Sequence, residues 1–592
     1  METINVEREQ KQKGENMVKD STGFMETNGV IRNPVLPGFH PDPSILRVED
    51  DYYIATSTFE WFPGVQINHS KDLVHWDLLG YPLTRVSQLN MIGEEDSCGV
   101  WAPCLSYDKG RFYLIYTDVK SFIGSFKDTH NYLVTAEDIH GPWSEPVYLN
   151  SSGFDPSLFH DRDGRKYLVN MVMDHRSYSA SKFAGIVLQE YSESEKKLIG
   201  PKKVIFKGSH LGVTEGPHLY WKDGYYYLMT AEGGTGYRHA VTVARSRNLD
   251  GPYEVAPNTP MVTSRYFPTH ELQKAGHGSL VETPDHQWYL AHLCSRPVGP
   301  ERRCILGRET AIQKVKWVKD WPVLEDGTCL PQVEVEAPVP GFEGQTIESM
   351  KNIGTVTAGN ENGKTWKDVR TEEGIETRVM EGNTPQIYED FDGDTWSLHL
   401  QSLRIPLGDR ASLTERPGWL RLYGAESLNS HFTQSLLGCR QQSFYMEAET
   451  KVEFQPENFK QMAGLAYYYN TQCYYYLHIT WDDQFGRILS IMKNDLSKGS
   501  YPIGMGVPIP KEGPVWLKLT TKKETAQFSY SLDGEHYVEI GAPLDATILS
   551  DDYFDQTGHG MFTGAFVAIC CQDTSGERKP ADFDWIHVKN LL

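Results

Sequence analysis

The sequence of 592 residues predicts an all-β protein, a five-bladed β-propeller followed by a β-sandwich. The first half contains five similar segments, each with two short strands around a turn. The second half contains strand-length stretches, apolar or alternating, that are separated by turns. Repetition of one β unit at this length indicates radial closure, whereas regular strands without such a repeat indicate a two-sheet sandwich.

Residues 1–30 alternate charged and polar residues, which predicts a flexible N-terminal extension. They contain no apolar core of the length that a secretory signal needs, so we expect a cytoplasmic protein. The nine cysteines agree with this expectation, because their odd number and the lack of a CxxC pair indicate free thiols.

The composition restricts the kind of partner that the chain can bind. The formal net charge is −22, which repels nucleic acid and anionic membrane surfaces. The sequence also has no apolar run of about 20 residues that could span a bilayer. A neutral small molecule or a soluble polymer is therefore the expected partner.

Residues 31–336 carry the five repeats and are assigned to the propeller. Each repeat begins with a residue flanked by Pro or Gly, called here the head, and successive heads are 54 to 62 residues apart. An apolar residue follows the head by thirteen positions in four repeats and by twelve in the first. The turn sequences DKG, RDG and KDG supply the positive φ angles of tight hairpins. The heads are Asp42, Trp101, Asp155, Glu215 and His277.

Equivalent positions on the innermost strands of a propeller face its central channel, so the five heads are predicted to meet at one end of it. Three heads are carboxylic acids, and acids at close range shift each other's pKa values apart. A structural repeat would place small or apolar residues there instead. The heads therefore predict a functional site, with a structural cation or coincidence as alternatives, since Asp before Pro also opens many turns.

Residues 337–386 are polar and rich in glycine, with little periodicity, which predicts a linker or insertion. Residues 387–592 return to strand patterns such as WLRLYG and FYMEAETKVEFQ and are assigned to the β-sandwich. This part resembles a concanavalin-like lectin sandwich. Such a domain could bind carbohydrate, brace the propeller or complete a catalytic pocket.

The motifs of the chain, taken in order, resemble glycoside hydrolase family 43, and in particular its intracellular β-xylosidases with a C-terminal sandwich. The resemblance extends from about residue 33 to the end of the chain. The matching stretches are NPVLPGFHPDPSI, YYIATSTFEWFPGVQINHSKDLVHW, WAPCLSY, FDPSLFHD, TEGPHLY, GHGSLVET, LGRETAIQKVKW, LRLYG, FTGAF and ADFDW.

The resemblance implies a role for each of the three acids. Asp42 in PDPS would be the general base that activates water, and Glu215 in TEGP the general acid that protonates the leaving oxygen. Asp155 in FDPS would tune the pKa of the acid and orient it. An inverting hydrolase needs its two carboxyl groups about 6.5–9.5 Å apart, and opposite walls of a propeller channel supply such a separation.

The same resemblance implies that five further residues bind substrate. Trp101 and Phe59 would line the pocket, Arg308 in LGRETA would hydrogen-bond the sugar, and His277 would lie near it. Phe562 in MFTGAF would reach from the sandwich to the propeller mouth and turn a groove into a dead-end pocket. Core packing is the alternative for the aromatic residues, and an ion pair with the adjacent Glu309 or with another surface acid is the alternative for the arginine.

No organic or redox cofactor is expected, because general acid–base hydrolysis needs none. A divalent cation such as calcium in the channel is left open, with His277 as its candidate ligand, since one His with scattered carboxylates is a weak metal signal. Met173 stands where the resemblance implies a Trp, which predicts a softer and less selective surface for the leaving sugar.

Taken together, the motifs predict an inverting, exo-acting β-1,4-xylosidase that releases xylose from the non-reducing end of xylo-oligosaccharides, with side activity on α-L-arabinofuranosides. An arabinofuranosidase or arabinan-active hydrolase on the same propeller is the alternative enzyme. A non-catalytic carbohydrate-binding propeller is the alternative from a different class. The sequence leaves a homo-oligomer open.

Overall fold

The computed structural model describes residues 29–178, 182–338, 366–370, 376–380, 386–558 and 560–591. The predicted extension and the predicted linker therefore lie largely outside the described residues, and their bounds stay predictions. In the described ranges almost every element is a β-strand, and no helix there is long and apolar enough to cross a membrane.

The first part of the chain folds into strands that precede the sandwich. They are β1 (Val30–Arg32), β2 (Ser44–Val48), β3 (Asp51–Thr56), β4 (Trp61–Phe62), β5 (Gln66–Ser70), β6 (Asp77–Gly80), β7 (Gly99–Asp108), β8 (Arg111–Ser121), β9 (Asp128–Ala136), β10 (Val147–Asn150), β11 (Ser157–His160), β12 (Lys166–Met173), β13 (Phe183–Ser192), β14 (Lys197–Phe206), β15 (Glu215–Lys222), β16 (Tyr225–Glu232), β17 (Ala240–Ser246), β18 (Glu254–Val255), β19 (Gln273–Glu282), β20 (Trp288–Ser295), β21 (Glu309–Val318), β22 (Trp321–Leu324) and β23 (Glu334–Glu336).

Twenty of these strands form five antiparallel four-stranded sheets, which are the blades of the predicted propeller. The blades are β2-β3-β5-β6, β7-β8-β9-β10, β11-β12-β13-β14, β15-β16-β17-β18 and β19-β20-β21-β22. The first strand of each blade lies innermost, and β19 packs against β2, which closes the ring. β1 pairs with β23, so the chain segments before the first blade and after the last are also joined.

The hairpin register explains the repeat in the sequence. In each blade the apolar residue of the second strand pairs with an apolar residue of the innermost strand, as Ile45↔Ile54, Leu105↔Leu114, Leu158↔Leu168, Leu219↔Leu228 and Leu280↔Leu290. Three heads precede that inner partner by three positions, whereas Trp101 and Glu215 precede it by four. The ladder is irregular after both of these residues, and a bulge accommodates the extra position.

The second part of the chain forms the sandwich together with one short α-helix, α1 (Asp551–Asp555). Its strands are β24 (Trp366–Arg370), β25 (Glu376–Met380), β26 (Gln386–Glu389), β27 (Ser402–Leu403), β28 (Ala411–Ser412), β29 (Leu420–Tyr423), β30 (Ser435–Arg440), β31 (Tyr445–Glu453), β32 (Gln461–Asn470), β33 (Cys473–Asp482), β34 (Gly486–Asp495), β35 (Lys498–Ser500), β36 (Val507–Pro508), β37 (Val515–Lys522), β38 (Thr525–Ser531), β39 (Val538–Asp545), β40 (Phe566–Asp573) and β41 (Pro580–Leu591).

Fifteen of these eighteen strands form the two antiparallel sheets of the sandwich, one of eight strands and one of seven, while β24 pairs with β25 and β27 pairs with β4. The first contains β31, β37 and β41 at its centre, and the second contains β32, β33 and β40. Their facing side chains form the largest apolar core among the described residues, and this core extends into the propeller through residues such as Trp61 and Phe39. The Trp61 ring stacks on Phe566 with centroids 3.7 Å apart.

A strand pair and a buried arginine are among the contacts that join the two domains. β27 of the sandwich segment pairs with β4 of the propeller. The next residue, Arg404, is 1% exposed, and its guanidinium donates to the Asp96 carboxylate at 3.0 Å and to the Glu94 carbonyl at 2.7 Å. Its backbone N–H donates to the carbonyl of Glu60 at 2.7 Å. Burial and the nearby Asp96 raise the pKa of Glu60 to about 8, so this acid is neutral at pH 7 and the guanidinium balances Asp96.

Replacing Arg404 by Met is expected to lower the free energy of unfolding by about 3 kcal/mol, because the substitution leaves the Asp96 carboxylate buried without its cation. Chemical denaturation monitored by tryptophan fluorescence measures the change. The matched control is Arg32→Met, which removes an exposed pair to Glu334 and should change stability by no more than about 0.5 kcal/mol. Equal losses in the two variants would contradict the interpretation.

Candidate active site

One cavity of about 290 Å³ opens at one end of the propeller channel and contains every residue predicted for the site. The five heads line it together with three other predicted residues, Phe59, Arg308 and Phe562. Met173, at the end of β12, lines it as well. The structure thus brings all eight predicted site residues into one pocket, and Phe562 arrives there from the sandwich.

The backbone at the heads has an unusual conformation. Asp42, Asp155 and His277 have φ angles of 57°, 51° and 49°. These angles lie in the left-handed region, which residues other than glycine seldom adopt. At the Glu215 blade the positive φ of 56° falls on the next residue, Gly216. Such strain persists where the surrounding structure fixes it and is common at functional sites. The positive φ comes just before the innermost strand at Asp42 and Asp155, and within that strand at His277 and Gly216.

Asp42 is buried and held in its ionised form. Ser57 donates to one carboxylate oxygen at 2.7 Å, and Arg308 donates to the other at 3.0 Å. Burial alone would raise the pKa of Asp42, but the Arg308 charge and the hydrogen bond from Ser57 outweigh burial and lower the pKa below its usual range. This carboxylate is therefore available to accept a proton.

Glu215 is the first residue of β15 and is only partly buried at the pocket wall. Its carboxyl group has no hydrogen-bond or ion-pair partner among the described residues, so its proton is free to point into the pocket. Burial, and then the negative charge of Asp42, raise the pKa of Glu215 to about 7. Two carboxyl groups in one pocket thus differ widely in acidity, which is the arrangement that separate acid and base roles require.

Asp155 supports the backbone beside the candidate acid. Its Oδ2 atom accepts a hydrogen bond of 3.0 Å from the N–H of Gly216, the residue after Glu215. Burial, followed by the charges of Glu215 and Asp42, raises the pKa of Asp155 well above its usual value. The electrostatic interaction between the Asp155 and Glu215 carboxyl groups is mutual, and the hydrogen bond that Asp155 accepts comes from the backbone beside Glu215.

Arg308 connects the acids to the aromatic wall. Its guanidinium contacts Asp42 and also donates to the hydroxyl of Thr235 at 3.2 Å and to the carbonyl of Phe562 at 3.0 Å. The predicted alternative, a pair with Glu309, does not form, because that carboxylate pairs with Arg296 at 2.8 Å. The arginine therefore faces the pocket and fixes the loop that comes from the sandwich.

Aromatic rings close the pocket on the side of the sandwich. The ring centroid of Phe562 lies 5.5 Å from that of Trp101 and 6.1 Å from that of Phe59. Ser97 holds this wall from behind, since its carbonyl accepts from the indole N–H of Trp101 at 2.8 Å and its hydroxyl accepts from the N–H of Phe562 at 3.0 Å. These rings therefore line the cavity and pack together at the same time.

Several pocket residues were not predicted from the sequence. Lys127, Lys182 and Thr235 lie in the segments that follow the second strands of three consecutive blades. In an antiparallel hairpin the end of the second strand lies beside the start of the first, so these segments share the end of the channel with the heads. Because the sequence repeat already indicated these hairpins, the positions of the three residues at the pocket could have been predicted. Lys127 is near enough to Glu215 that its charge opposes the rise in the pKa of that acid.

Metal binding at the pocket stays a prediction. Within the described ranges no three His, Cys, Asp or Glu side chains are grouped so as to hold a metal ion. The Nδ1 atom of His277 lies 3.7 Å from the Asp42 carboxylate. Burial, with the Arg308 charge, lowers the pKa of His277, so this imidazole is neutral in the pocket.

Comparison with known proteins identifies the family. The model described as glycosyl hydrolases family 43 matches residues 31–322, and the model described as beta xylosidase C-terminal concanavalin A-like domain matches residues 388–589. The beta-xylosidase of Bacillus subtilis (strain 168) is 50% identical over 569 residues, which cover 94% of this chain and 99% of that protein. The chain belongs to glycoside hydrolase family 43.

Other similar proteins agree with the family-43 assignment. Xylosidase/arabinosidase 43B of Humicola insolens is 49% identical over 560 residues, which cover 94% of this chain and 97% of that protein. The crystal structure of xylan beta-1,4-xylosidase from Bacillus halodurans C-125 superimposes with a TM-score of 0.85 at 52% identity, over 95% of this chain and 100% of that one. The predicted propeller and concanavalin-like sandwich are confirmed, and this family-43 protein is a glycoside hydrolase.

Proposed function

We propose that this family-43 hydrolase is an inverting β-1,4-xylosidase that releases xylose from the non-reducing end of xylo-oligosaccharides. The observation that carries the proposal is the unequal acidity of two carboxyl groups in one pocket. Asp42 is ionised and can take a proton from water, whereas Glu215 has a pKa raised to about 7 and can protonate the leaving oxygen. Hydrolysis with inversion needs this division of labour.

The remaining contacts support the same proposal. Arg308, fixed between Asp42 and the Phe562 carbonyl, would present its guanidinium to sugar hydroxyls. Gly216, held by Asp155, would keep the Glu215 side chain beside the scissile bond. A cavity of about 290 Å³ is at the small end of the usual range for ligand pockets, and Phe562 narrows its mouth, which supports exo action on a chain end.

Side activity on α-L-arabinofuranosides belongs to the proposal because a relative with 49% identity is named xylosidase/arabinosidase. Met173 at the pocket wall offers a flexible apolar surface that tolerates different leaving groups. An arabinofuranosidase is therefore the second candidate. A non-catalytic binding propeller is disfavoured, because sugar binding alone gives no reason to keep one carboxyl neutral and the other ionised.

The test is to hydrolyse nitrophenyl β-xyloside, nitrophenyl α-L-arabinofuranoside and xylotriose with the same preparation. We expect a higher kcat/KM on the xyloside than on the arabinofuranoside, and xylose with xylobiose as the first products from xylotriose. Proton NMR of the first turnovers should show α-xylose, the inverted anomer. β-Xylose as the first-formed anomer would refute the acid and base assignment, and faster arabinofuranoside hydrolysis would favour the second candidate.

A further inference from the structure

A second cavity, of about 240 Å³, lies between the propeller and the sandwich and is separate from the active site. The propeller contributes strand β5 and the segments around β2 and β6, and the sandwich contributes the end of β30 and nearby segments. Its polar lining consists mainly of His40, Gln66, Asn68, Tyr81, His399 and Arg440. None of the described residues that line it is Asp or Glu, although the chain carries a net charge of −22.

Arg440 places a buried positive charge at this cavity. The residue is 7% exposed, and its guanidinium donates to the side-chain oxygens of Gln66 and Gln401, the latter at 2.6 Å. Both acceptors are neutral amides, and in the described part of the chain no carboxylate lies within 4 Å of the guanidinium nitrogens. A buried charge without a counter-ion costs several kcal/mol even when it is hydrogen-bonded.

Asn68, which also lines the cavity, has a buried donor without a partner. Asn68 is 4% exposed, and its Nδ2 atom is buried without any acceptor. Its Oδ1 atom accepts from Gln66 at 3.3 Å, which fixes the amide so that Nδ2 is the end left without a hydrogen bond. An unsatisfied buried donor costs about 1–3 kcal/mol, so an acceptor in the cavity would remove this cost.

The neighbouring histidine adds no charge of its own. Burial, and then the positive charge of Arg440, lower the pKa of His40 well below its usual value, so the ring is neutral. The described residues that line the cavity therefore supply one uncompensated cation and one amide donor without a partner, and none of them is a carboxylate. We propose that it binds a small oxyanion such as inorganic phosphate, held by Arg440 of the sandwich and Asn68 of the propeller.

The chemistry favours an oxyanion over a halide. A guanidinium presents its N–H groups in a planar fork that matches two oxygens of one anion, and the volume of the cavity admits a tetrahedral ion. Because Arg440 belongs to the sandwich and Asn68 to the propeller, the bound ion would join the two domains. An ion that binds only the folded protein raises its stability in proportion to the logarithm of its concentration above Kd.

The experiment is a thermal-unfolding series in which sodium phosphate replaces sodium chloride at constant ionic strength. For the wild type we expect the midpoint to rise with phosphate and to saturate, and isothermal titration calorimetry should give one site per chain. Arg440→Met should lose the phosphate-dependent rise, while Arg32→Met, an exposed arginine that removes the same charge, should keep it.

Asn68→Asp supplies a second variant in case Arg440→Met does not fold. The new carboxylate would add a negative charge to the cavity that Arg440 also lines, so we expect a higher midpoint without phosphate and no further rise with it. A wild-type midpoint that does not respond to phosphate would overturn the proposal, and so would an equal, saturating response to chloride. A phosphate response in Asn68→Asp equal to that of the wild type would also overturn it.

Discussion

Glu215→Gln is expected to lower kcat/KM on xylobiose by about 10²–10⁴-fold, because the variant cannot donate a proton to the leaving sugar. The loss should be much smaller on 2,4-dinitrophenyl β-xyloside, whose leaving group departs without protonation. Gln keeps the size and polarity of the side chain, and the carboxyl it replaces has no hydrogen bond to break among the described residues. Steady-state kinetics on the two substrates measures the contrast.

The pH dependence of this variant separates a proton donor from a residue that only binds. In the wild type the acid must be protonated, so kcat/KM should fall as the pH rises through the Glu215 pKa of about 7. The residual activity of the variant on xylobiose, the substrate that needs a proton donor, should lack that alkaline limb. Glu137→Gln, on an exposed glutamate, is the control and should keep both the rate and the limb. An unchanged alkaline limb in Glu215→Gln would exclude Glu215 as the general acid.

The repeat in the sequence was sufficient to predict the propeller and the meeting of its five heads. The spacing of thirteen residues nevertheless concealed two compensating differences. Trp101 and Glu215 are one position further from the inner partner than the other heads, and the hairpins of the Asp155 and His277 blades are one residue longer. The thirteen-residue spacing is the sum of the distance from the head to its inner partner and the length of the hairpin. The sequence gives only this sum, so the bulges are seen only in the structure.

The periodicity of the sequence could not predict contacts between distant parts of the chain. The pairing of β27 with β4 and the burial of Arg404 against Asp96 join residues more than 300 positions apart, and neither leaves a repeating signal. Phe562 was predicted from the family resemblance alone. A sequence pattern indicates which face of a strand is buried, but it does not indicate which part of the other domain packs on that face.

Asp42→Asn is expected to lower kcat/KM by about 10²–10⁴-fold on xylobiose and on the dinitrophenyl xyloside alike, because the amide cannot take a proton from water whatever the leaving group. Asn is the appropriate replacement, since it tolerates the φ of 57° at this position and its oxygen can still accept from Ser57. Steady-state kinetics on both substrates, with circular dichroism for the fold, measures the effect.

Asp42→Asn should lose the same factor in kcat/KM on both substrates, whereas Glu215→Gln should lose much less on the dinitrophenyl xyloside. This difference between the two variants distinguishes the base from the acid. Asp50→Asn, at an exposed position in the turn of the same hairpin, is the control and should retain wild-type rates. If Asp42→Asn instead recovered activity on the dinitrophenyl xyloside, Asp42 would be assisting the leaving group. The two carboxyl groups would then have exchanged roles, although Arg308 keeps Asp42 ionised and burial raises the pKa of Glu215 to about 7.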